Sequence, residues 1–375
     1  MRVVARVAVY TGPRVLSRNM EHLVYEIPSG LSSEFDVDLV GLEETSPRIE
    51  ESFSRHVSIR RARWPGWLRG LTTIPVGYIN LARYIKANRP DVVLTLSGIG
   101  INGLVVGLAG RRFGIPTVNR VTSDIFKVWW HKGGVFGRLS LFVRNNVLGR
   151  LSIRLSTKVV ILHRDFRSRF RSKSIQNKLV AIPQPMAFPD ADPNQARNIR
   201  EGLGIPADAR VASCIGRLAP DKNIPLLLRV AKRAMEERSD LHVIIAGSGP
   251  LEETVRRAAR SESRFHVLGE IERGRVPAIL QASDVFLSTA RPGGEGLSTA
   301  IAEAIHFNVP VVATASGPGT LAMVPTASMD ETALVKGLVD ESTPQGVMPE
   351  NMDPADNAGC WRDLVRSLIE DRVTG

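Results

Sequence analysis

The 375-residue sequence has few cysteines and no long apolar run, and each shortage excludes a class of protein. Two cysteines, Cys214 and Cys360, are too few for a disulfide framework and fit a reducing compartment. No stretch approaches the ~18 consecutive apolar residues of a membrane span. Residues 1–10 lack the apolar core and cleavage site of a signal peptide and indicate a buried strand. We therefore expect a cytoplasmic protein.

Acidic residues are scarce in one half of the chain. From Ser52 to Pro189 there are 24 Lys or Arg against three acids, whereas the remainder has 25 against 35. A split of this kind indicates an anionic partner for the basic half. Two of its segments interleave cations with large aromatic residues: Arg60, Arg61, Arg63, Trp64, Trp67 and Arg69, then Lys127, Trp129, Trp130, Lys132, Phe136, Arg138, Phe142 and Arg144.

That mixture favours an anionic membrane surface, where aromatic rings sit at headgroup depth and Lys and Arg meet anionic lipid. We expect a peripheral location on the inner face of the cytoplasmic membrane. A solvated basic surface with core aromatics is the alternative. Nucleic acid would fit the composition, but no recognised reader motif is present, so it is not favoured as a partner. The sequence does not indicate an oligomeric state.

Short apolar strands alternate with helical patterns in both halves, which predicts an α/β fold with parallel sheets covered on both faces. The length favours two domains, joined near the proline-rich segment 182–193, which is typical of a stiff linker. We place a basic Rossmann-like domain at 1–190, a second Rossmann-like domain at 195–350 and a helix at 355–375 that packs back on the first domain. Segment 315–355 has no clear pattern.

Residues 286–314 hold the most informative pattern, a strand, a glycine-rich turn, a helix and a second strand. Such a turn offers free amides and the positive end of a helix dipole, where phosphate binds. Glu295 precedes the helix and Glu303 lies inside it. Carboxylates repel phosphate, but they accept hydrogen bonds from sugar hydroxyls. The alternative is a dipole-stabilising Glu295 and a surface Glu303, although the neighbours of Glu303 are apolar. The segment predicts a nucleotide-sugar site.

Two further loops follow strand-like runs. Arg217 and Lys222 flank a turn just before a helix, where an arginine fork and a lysine point charge can meet a diphosphate. Gly247 and Gly249 allow a base or phosphate to approach the backbone. Each loop alone is equally compatible with solvated cations or an ordinary turn. Three such loops at the carboxyl ends of parallel strands meet at one sheet edge, where ligands bind.

Together these motifs are Gly216-Arg-Leu218 with Lys222, Ala246-Gly-Ser-Gly-Pro250, Val267-Leu-Gly269, the pair Glu295 and Glu303, and Asn308-Val-Pro-Val-Val-Ala-Thr314. On them, residues 210–314 resemble the nucleotide-sugar half of glycosyltransferase family 4, the group 1 retaining glycosyltransferases of the GT-B fold. The resemblance implies two facing Rossmann-like domains with a cleft between them. It also implies a nucleoside-diphosphate sugar as donor, no cofactor and no metal.

The resemblance also assigns roles. Arg217 and Lys222 would bind the diphosphate and, with Glu295, form the catalytic set. Glu303 would hold the ribose, Glu295 the donor sugar, and residues 266–268 would border the base. The donor-binding residues are then Gly216, Arg217, Lys222, Gly247, Gly249, His266, Val267, Leu268, Glu295, Gly296, Leu297 and Glu303.

The first half resembles the family more loosely. Gly12 lies where the family has a glycine loop near the acceptor, but the usual paired glycines are absent. Thr122 stands where the matching strand often ends in histidine. Ile182-Pro-Gln-Pro replaces the usual Pro-Asn-Gly turn, and the stretch after Thr314 lacks the common Gly-Gly and following Glu. Gly12 and Thr122 are the acceptor-side candidates.

The sequence therefore predicts a retaining, metal-independent glycosyltransferase that moves a sugar to a lipid-linked or membrane-surface glycan. Two alternatives stay open. A nucleotide-sugar epimerase or hydrolase would use the same donor site without an acceptor. A degenerate, non-catalytic basic binding protein would explain the missing acceptor-side features. Neither the nucleotide (UDP, GDP or another) nor the sugar can be read from these motifs.

Overall fold

A computed structural model describes residues 4–12, 18–41, 53–59, 69–96, 100–122, 126, 134–190, 192–293 and 296–374. The chain forms two compact units, Met1–Met186 with Glu350–Gly375, and Ala187–Pro349. The first boundary falls inside the proline-rich segment 182–193, which has no regular structure up to residue 190. Each unit has its own sheet and its own apolar core.

The first unit is built on a parallel sheet that has seven strands among the described residues. They run in the order β3-β2-β1-β4-β5-β6-β7, so the order reverses between β1 and β4. Ligands of open α/β sheets bind outside the carboxyl ends of strands at such a reversal. The strands are β1 Arg6–Tyr10, β2 Asp36–Gly41, β3 Arg55–Ser58, β4 Val92–Thr95, β5 Thr117–Val121, β6 Lys158–Ile161 and β7 Leu179–Ala181.

Helices cover this sheet because its strands are apolar on both faces. They are α1 Arg18–Ser32, α2 Arg69–Asn88, α3 Ile101–Phe113, α4 Val135–Phe142, a π-helical segment Val143–Leu148, α5 Gly149–Leu155 and α6 Lys173–Gln176, with a 3₁₀ turn at Arg164–Arg169.

The C-terminal helix, Pro354–Thr374, belongs to the first unit and packs against α1. The two helices cross closely, since a Cβ at Gly30 would lie 2.5 Å from Cβ of Ala358. Arg366 forms an ion pair with Glu34 at 2.8 Å. Four large apolar side chains of this helix are buried in the core of the first unit: Trp361, Leu364, Val365 and Leu368.

The second unit is built on a five-stranded parallel sheet among the described residues, in the order β10-β9-β8-β11-β12. The order reverses between β8 and β11. The strands are β8 Arg210–Ile215, β9 Leu241–Ala246, β10 Phe265–Gly269, β11 Val285–Ser288 and β12 Val311–Ala313. The helices are α7 Pro193–Gly202, α8 Ile224–Glu237, α9 Glu252–Ser261, α10 Val276–Gln281, α11 Thr299–His306, α12 Pro318–Met323 and α13 Glu331–Val339.

The predicted fold class, two Rossmann-like α/β domains with parallel sheets, is confirmed. Segment 315–355, which has no clear pattern in the sequence, holds α12 and α13 followed by irregular chain. Helix α13 packs on α8 and β12 and buries Leu334, Val335 and Leu338 in the core of the second unit. The segment therefore completes one face of the second sheet.

One buried arginine in the first sheet has no hydrogen-bond partner among the described residues. Arg120 of β5 is 1 % exposed, and none of its three guanidinium nitrogens has a hydrogen-bond partner in the described part of the chain. Burial lowers its pKa to about 10. Arg210 of β8 is also buried, but its guanidinium donates to the carbonyl oxygens of Leu338 at 2.7 Å and Asp340 at 2.6 Å. An unpaired buried charge destabilises a fold, so Arg120 weakens the first unit.

We expect Arg120→Met to raise the free energy of unfolding of the first unit by about 1–4 kcal/mol, because methionine fills most of the volume without a charge. Its melting temperature should rise by about 2–4 °C per kcal/mol. Arg210→Met is the matched control and should melt lower, because two buried carbonyls lose their donor. Thermal melts followed by circular dichroism compare them. An Arg120→Met protein that melts below wild type would contradict this account.

Candidate active site

The predicted donor residues lie on loops at the carboxyl edge of the second sheet. One loop follows β8 and carries Gly216, Arg217 and Lys222; another follows β9 and carries Gly247 and Gly249. A third follows β11, beside the reversal of strand order, and leads into α11. The sheet topology thus brings these loops to one edge, as the sequence predicted.

The loops after β8 and β9 are joined through their backbones. The N–H of Gly216 donates to the carbonyl of Ala246 at 2.9 Å, and the N–H of Leu218 donates to that of Ser248 at 2.8 Å. The N–H of Leu251 returns to the carbonyl of Leu218 at 2.8 Å. These bonds fix the two loops against each other before any ligand arrives.

Glycine is required at 247 and 249 by this contact. A Cβ at Gly247 would lie 1.8 Å from the carbonyl oxygen of Gly216, and one at Gly249 would lie 2.7 Å from that of Leu218. Both glycines also have φ in the left-handed region, 137° and 150°. The sequence predicts that the space left by the absent side chains at 247 and 249 admits a base or phosphate. In the structure, the backbone of the loop after β8 fills that space. A role of these glycines in ligand binding stays a prediction.

The loop that carries Lys222 is clamped by the loop after β11. The hydroxyl of Thr289 donates to the carbonyl of Lys222 at 2.9 Å, and the N–H of Arg291 donates to the carbonyl of Asp221 at 2.8 Å. Lys222 is partly buried, and its burial lowers the pKa of its ammonium group. Arg217 is mostly exposed and forms an ion pair with Asp221 at 2.8 Å. Asp221 thus pairs with one of the two cations predicted to bind the diphosphate, and its charge raises the pKa of the other, Lys222.

Glu303 is a buried carboxylate on α11. The residue is 7 % exposed, and burial raises the pKa of its carboxyl group, whereas Arg273 lowers it by less. Nη2 of Arg273 lies 4.0 Å from Oε1 of Glu303, and the same nitrogen donates to the carbonyl of Ala187 at 3.2 Å. A carboxylate so placed is only weakly compensated and can accept hydrogen bonds from ligand hydroxyls.

The amino end of α11 begins just after Gly296, Leu297 and Ser298, all buried. Ser298 occupies the N-cap position and makes no side-chain capping bond, so the first amides of the helix are not satisfied by their own cap. Gly319 of α12 packs against this turn, since its Cβ would lie 2.0 Å from the carbonyl oxygen of Gly296. Glu295, the third member of the predicted catalytic set, lies outside the described residues.

The predicted base-bordering residues divide into two groups. The imidazole of His266 hydrogen-bonds that of His242 at 2.9 Å, with the rings stacked at a centroid distance of 5.2 Å. His242 is the second residue of β9, so the His266 ring points toward the amino end of that strand. Val267 and Leu268 stand closer to the carboxyl end of β10 and are partly buried. They are better placed than His266 to border a base.

The acceptor-side candidates lie in the first unit. Gly12 follows β1 with φ of 78°, and a Cβ there would lie 2.4 Å from the side chain of Asn102. Asn102 donates to the carbonyl of Thr11 at 2.9 Å, which ties the start of α3 to the end of β1. Thr122 follows β5 and is partly exposed. Both candidates therefore stand at the carboxyl edge of the first sheet, Gly12 beside its reversal.

Several supporting residues were missed by sequence reasoning. Asp221 could have been found, because an acid four residues after Arg217 and beside Lys222 is visible in the sequence. Thr289 and Arg273 could not, because they act from 67 and 30 residues away along the chain. The order of the strands in the sheet brings Thr289 and Arg273 to the site.

Comparisons with known proteins agree with this architecture. Residues 195–332 match the profile of "Glycosyl transferases group 1", and residues 20–185 match that of the "Glycosyl transferase 4-like domain". A GDP-mannose-dependent monoacylated alpha-(1-6)-phosphatidylinositol monomannoside mannosyltransferase of Corynebacterium glutamicum is 31 % identical over 172 residues, 44 % of this chain and 45 % of that protein. A GDP-mannose-dependent alpha-(1-6)-phosphatidylinositol monomannoside mannosyltransferase of Mycolicibacterium smegmatis is 31 % identical over 173 residues, 42 % of this chain and 44 % of that one.

The chain thus spans less than half the length of these two relatives. Solved structures match over nearly the whole chain. HepE of Anabaena, in complex with UDP, aligns with a TM-score of 0.66 at 15 % identity and covers 99 % of this chain and 98 % of its own. WaaG, a glycosyltransferase involved in lipopolysaccharide biosynthesis, aligns with a TM-score of 0.61 at 16 % identity, covering 97 % and 98 %.

The fold is that of the two-domain GT-B glycosyltransferases. Each of the two units matches a profile of these enzymes, residues 20–185 in the first and residues 195–332 in the second. The chain belongs to the group 1 glycosyltransferases, glycosyltransferase family 4, as its motifs predicted.

We expect Glu303→Gln to stabilise the free protein and weaken nucleotide binding. Because burial raises the carboxyl pKa in the folded state, ionised Glu303 destabilises the fold at neutral pH. That penalty disappears as the pH falls through the raised pKa toward the ordinary glutamate value. Loss of a charged acceptor for ribose should cost about 1.5–3 kcal/mol, roughly tenfold to a hundredfold in Kd. Melts and calorimetric titration measure both effects.

The exposed Glu236 on α8 supplies the control, since Glu236→Gln should change neither the melting temperature nor the Kd. A Glu303→Gln protein that binds nucleotide as tightly as wild type would remove Glu303 from the donor site.

We expect nucleoside-diphosphate affinity to fall at alkaline pH as Lys222 loses its proton. Burial lowers the pKa of Lys222, so the loss should begin below the usual lysine pKa of about 10.4. Lys222→Arg keeps its charge and should flatten the profile. Titration calorimetry from neutral to alkaline pH measures the affinity. The exposed Lys336 supplies the control variant, Lys336→Met. The same alkaline loss in Lys222→Arg would assign the titration to another group.

Proposed function

We propose that the protein transfers a sugar from a nucleoside-diphosphate sugar to a lipid-linked or membrane-surface glycan, with retention of anomeric configuration and without a metal ion. The observation that carries this proposal is the grouping, at one sheet edge, of the desolvated Lys222 with the loop and helix that hold the buried Glu303. Cation and carboxylate are the complementary groups for a phosphate and a sugar hydroxyl.

In this proposal the donor lies along the loops of the second unit. Arg217 and Lys222 bind the diphosphate, together with the amides of Gly296 and Leu297 at the amino end of α11. Glu303 accepts from the ribose hydroxyls and Glu295 from the donor sugar. Val267 and Leu268, and more distantly His266, border the base, while Gly216, Gly247 and Gly249 shape the loops.

The proposed chemistry depends on charge that develops on the leaving group. The bond between the anomeric carbon and the phosphate oxygen breaks, and a bond from the acceptor hydroxyl oxygen forms on the same face. The acceptor proton passes to the leaving phosphate. Arg217, Lys222 and the helix dipole stabilise the growing negative charge from fixed positions, which is the task a metal ion performs elsewhere.

The relatives point to donors and acceptors to test first. Two are named as GDP-mannose-dependent enzymes that act on phosphatidylinositol monomannosides. A third, 32 % identical over 120 residues, is a putative teichuronic acid biosynthesis glycosyltransferase of Bacillus subtilis. HepE was solved with UDP-glucose. We therefore propose GDP-mannose as the first donor, UDP-glucose as the second, and a phosphatidylinositol-based glycolipid as the first acceptor.

The test is a donor panel followed by turnover. Ligand at ~100 times its Kd should stabilise the protein by about 2.7 kcal/mol, so one nucleotide of GDP, UDP and ADP should raise the melting temperature. The matching sugar nucleotide, given phosphatidylinositol monomannoside in mixed micelles, should yield a product whose anomeric proton coupling shows retention. Activity should survive EDTA.

Arg217→Ala with Glu303→Ala should abolish both the shift and turnover, while Lys336→Met should keep both. Donor hydrolysis without acceptor would favour a hydrolase instead. If no nucleotide shifts the melting point, a degenerate binding protein becomes the better account.

A further inference from the structure

Residues 135–155 form one helical run on the first unit, made of α4, the π-helical segment and α5. One side of the run is buried, including Leu141, Asn145 and Ile153. That side lies tightly on α3 and its N-cap: a Cβ at Gly107 would be 2.7 Å from Cβ of Leu155, and one at Gly100 would be 2.5 Å from the carbonyl oxygen of Arg144. The opposite side therefore faces away from the sheet.

That opposite side is apolar. Seven large apolar side chains in 17 residues are between 40 % and 89 % exposed: Val135, Phe136, Leu139, Phe142, Val143, Val147 and Leu151, which we name the apolar stripe. Elsewhere in the described chain, exposed large apolar residues are spread over many elements, as a monomer surface allows. A contiguous stripe of this kind marks an interaction surface.

The π-helical segment keeps the stripe on one line. In a regular α-helix of 3.6 residues per turn, residues four apart drift by roughly 40° per step. The N–H of Gly149 instead donates to the carbonyl of Arg144, five residues back, and the wider turn reduces that drift. Leu139, Val143, Val147 and Leu151 can therefore stay aligned over ~18 Å at 1.5 Å per residue.

The charged residues of this helical run are all positive. Arg138, Arg144, Arg150 and Arg154 lie in the run, and residues 125–164 contain no Asp or Glu. At the α5 end, Lys178 donates to the carbonyl of Arg154 at 2.9 Å. A protein partner would have to supply both apolar and acidic surface in one strip. An anionic bilayer supplies both by its nature, acyl chains beneath acidic headgroups.

We infer that residues 135–155 are the membrane-docking element of this protein, lying in the plane of an anionic bilayer with the apolar stripe ~5–10 Å into the headgroup region. Among the described helices none is long and apolar enough to cross a bilayer, and the run docks on the surface. The inference deepens the proposed membrane partner and rests on that part of the proposed function, but not on catalysis.

Co-sedimentation of the full chain with vesicles tests it. Vesicles of phosphatidylcholine with phosphatidylglycerol should bind the wild type at low salt, and pure phosphatidylcholine should bind it weakly. Phe136→Ser/Leu139→Ser/Val143→Ser should lower the partition coefficient at least tenfold. Each of Arg138→Gln, Arg150→Gln and Arg154→Gln should lower it about fivefold at low salt and little at high salt.

Met329→Ser/Val347→Ser removes two equally exposed apolar side chains of the second unit and should leave vesicle binding unchanged. All variants should keep the wild-type melting temperature and nucleotide shift, so a failure of docking is distinguishable from a failure of the donor site. Wild-type-like binding by the triple serine variant overturns the inference. So does a wild type that ignores anionic vesicles, or one that instead dimerises through the stripe in size-exclusion chromatography.

Discussion

The proposed donor site of the second unit depends on direct backbone contact between the loops that follow β8 and β9. The carbonyl oxygen of Gly216 occupies the space that a side chain at 247 would need. Because the loops are in contact, the backbone of Leu218 forms hydrogen bonds with the backbones of Ser248 and Leu251. The hydroxyl of Thr289 then donates to the carbonyl of Lys222 and holds that segment in place. Any side chain at 247 would push the loops apart and move the cations with them. Binding geometry here rests on a steric constraint that involves no ligand.

A second constraint acts on the charged groups that these loops carry. Burial lowers the pKa of Lys222 and raises that of Glu303, so in each case burial disfavours the charged form of the side chain. In the proposed function, a phosphate near Lys222 and a hydroxyl near Glu303 would offset that cost. Asp221 offsets part of it within the protein, since it forms an ion pair with Arg217 and its charge raises the pKa of Lys222. A site of this kind would favour a ligand that carries both phosphate and hydroxyls.

The sequence predicted those features whose residues lie close together along the chain. The apolar strands, the glycine-rich turn and Glu303 of residues 286–314 lie within one βαβ unit, so their spacing along the chain was enough to predict their order and the parallel sheet. It could not predict Arg273 beside Glu303 or Thr289 beside Lys222, because these contacts follow from strand order. It could not predict the loop contact at Gly247, since a glycine needed by a ligand and one needed by a neighbouring loop look identical in a sequence. Arg120 gave no signal either: a cation in a strand is ordinary until its burial is known.

Residues 135–155 differ from the second unit in the number of acidic residues that accompany their positive charge. The second unit balances its cations with acids in short ion pairs, such as Arg256 with Glu252 at 2.7 Å and Arg264 with Glu262 at 2.8 Å. Residues 135–155 of the first unit contain four arginines and no Asp or Glu in their sequence, and they expose apolar side chains on the same helical run. In water the arginines are hydrated, but the exposed hydrocarbon costs free energy. In the docking that we propose, an anionic bilayer would bury the hydrocarbon and attract the arginines at once, and this coupling is our reason for favouring a membrane surface as the partner of this run.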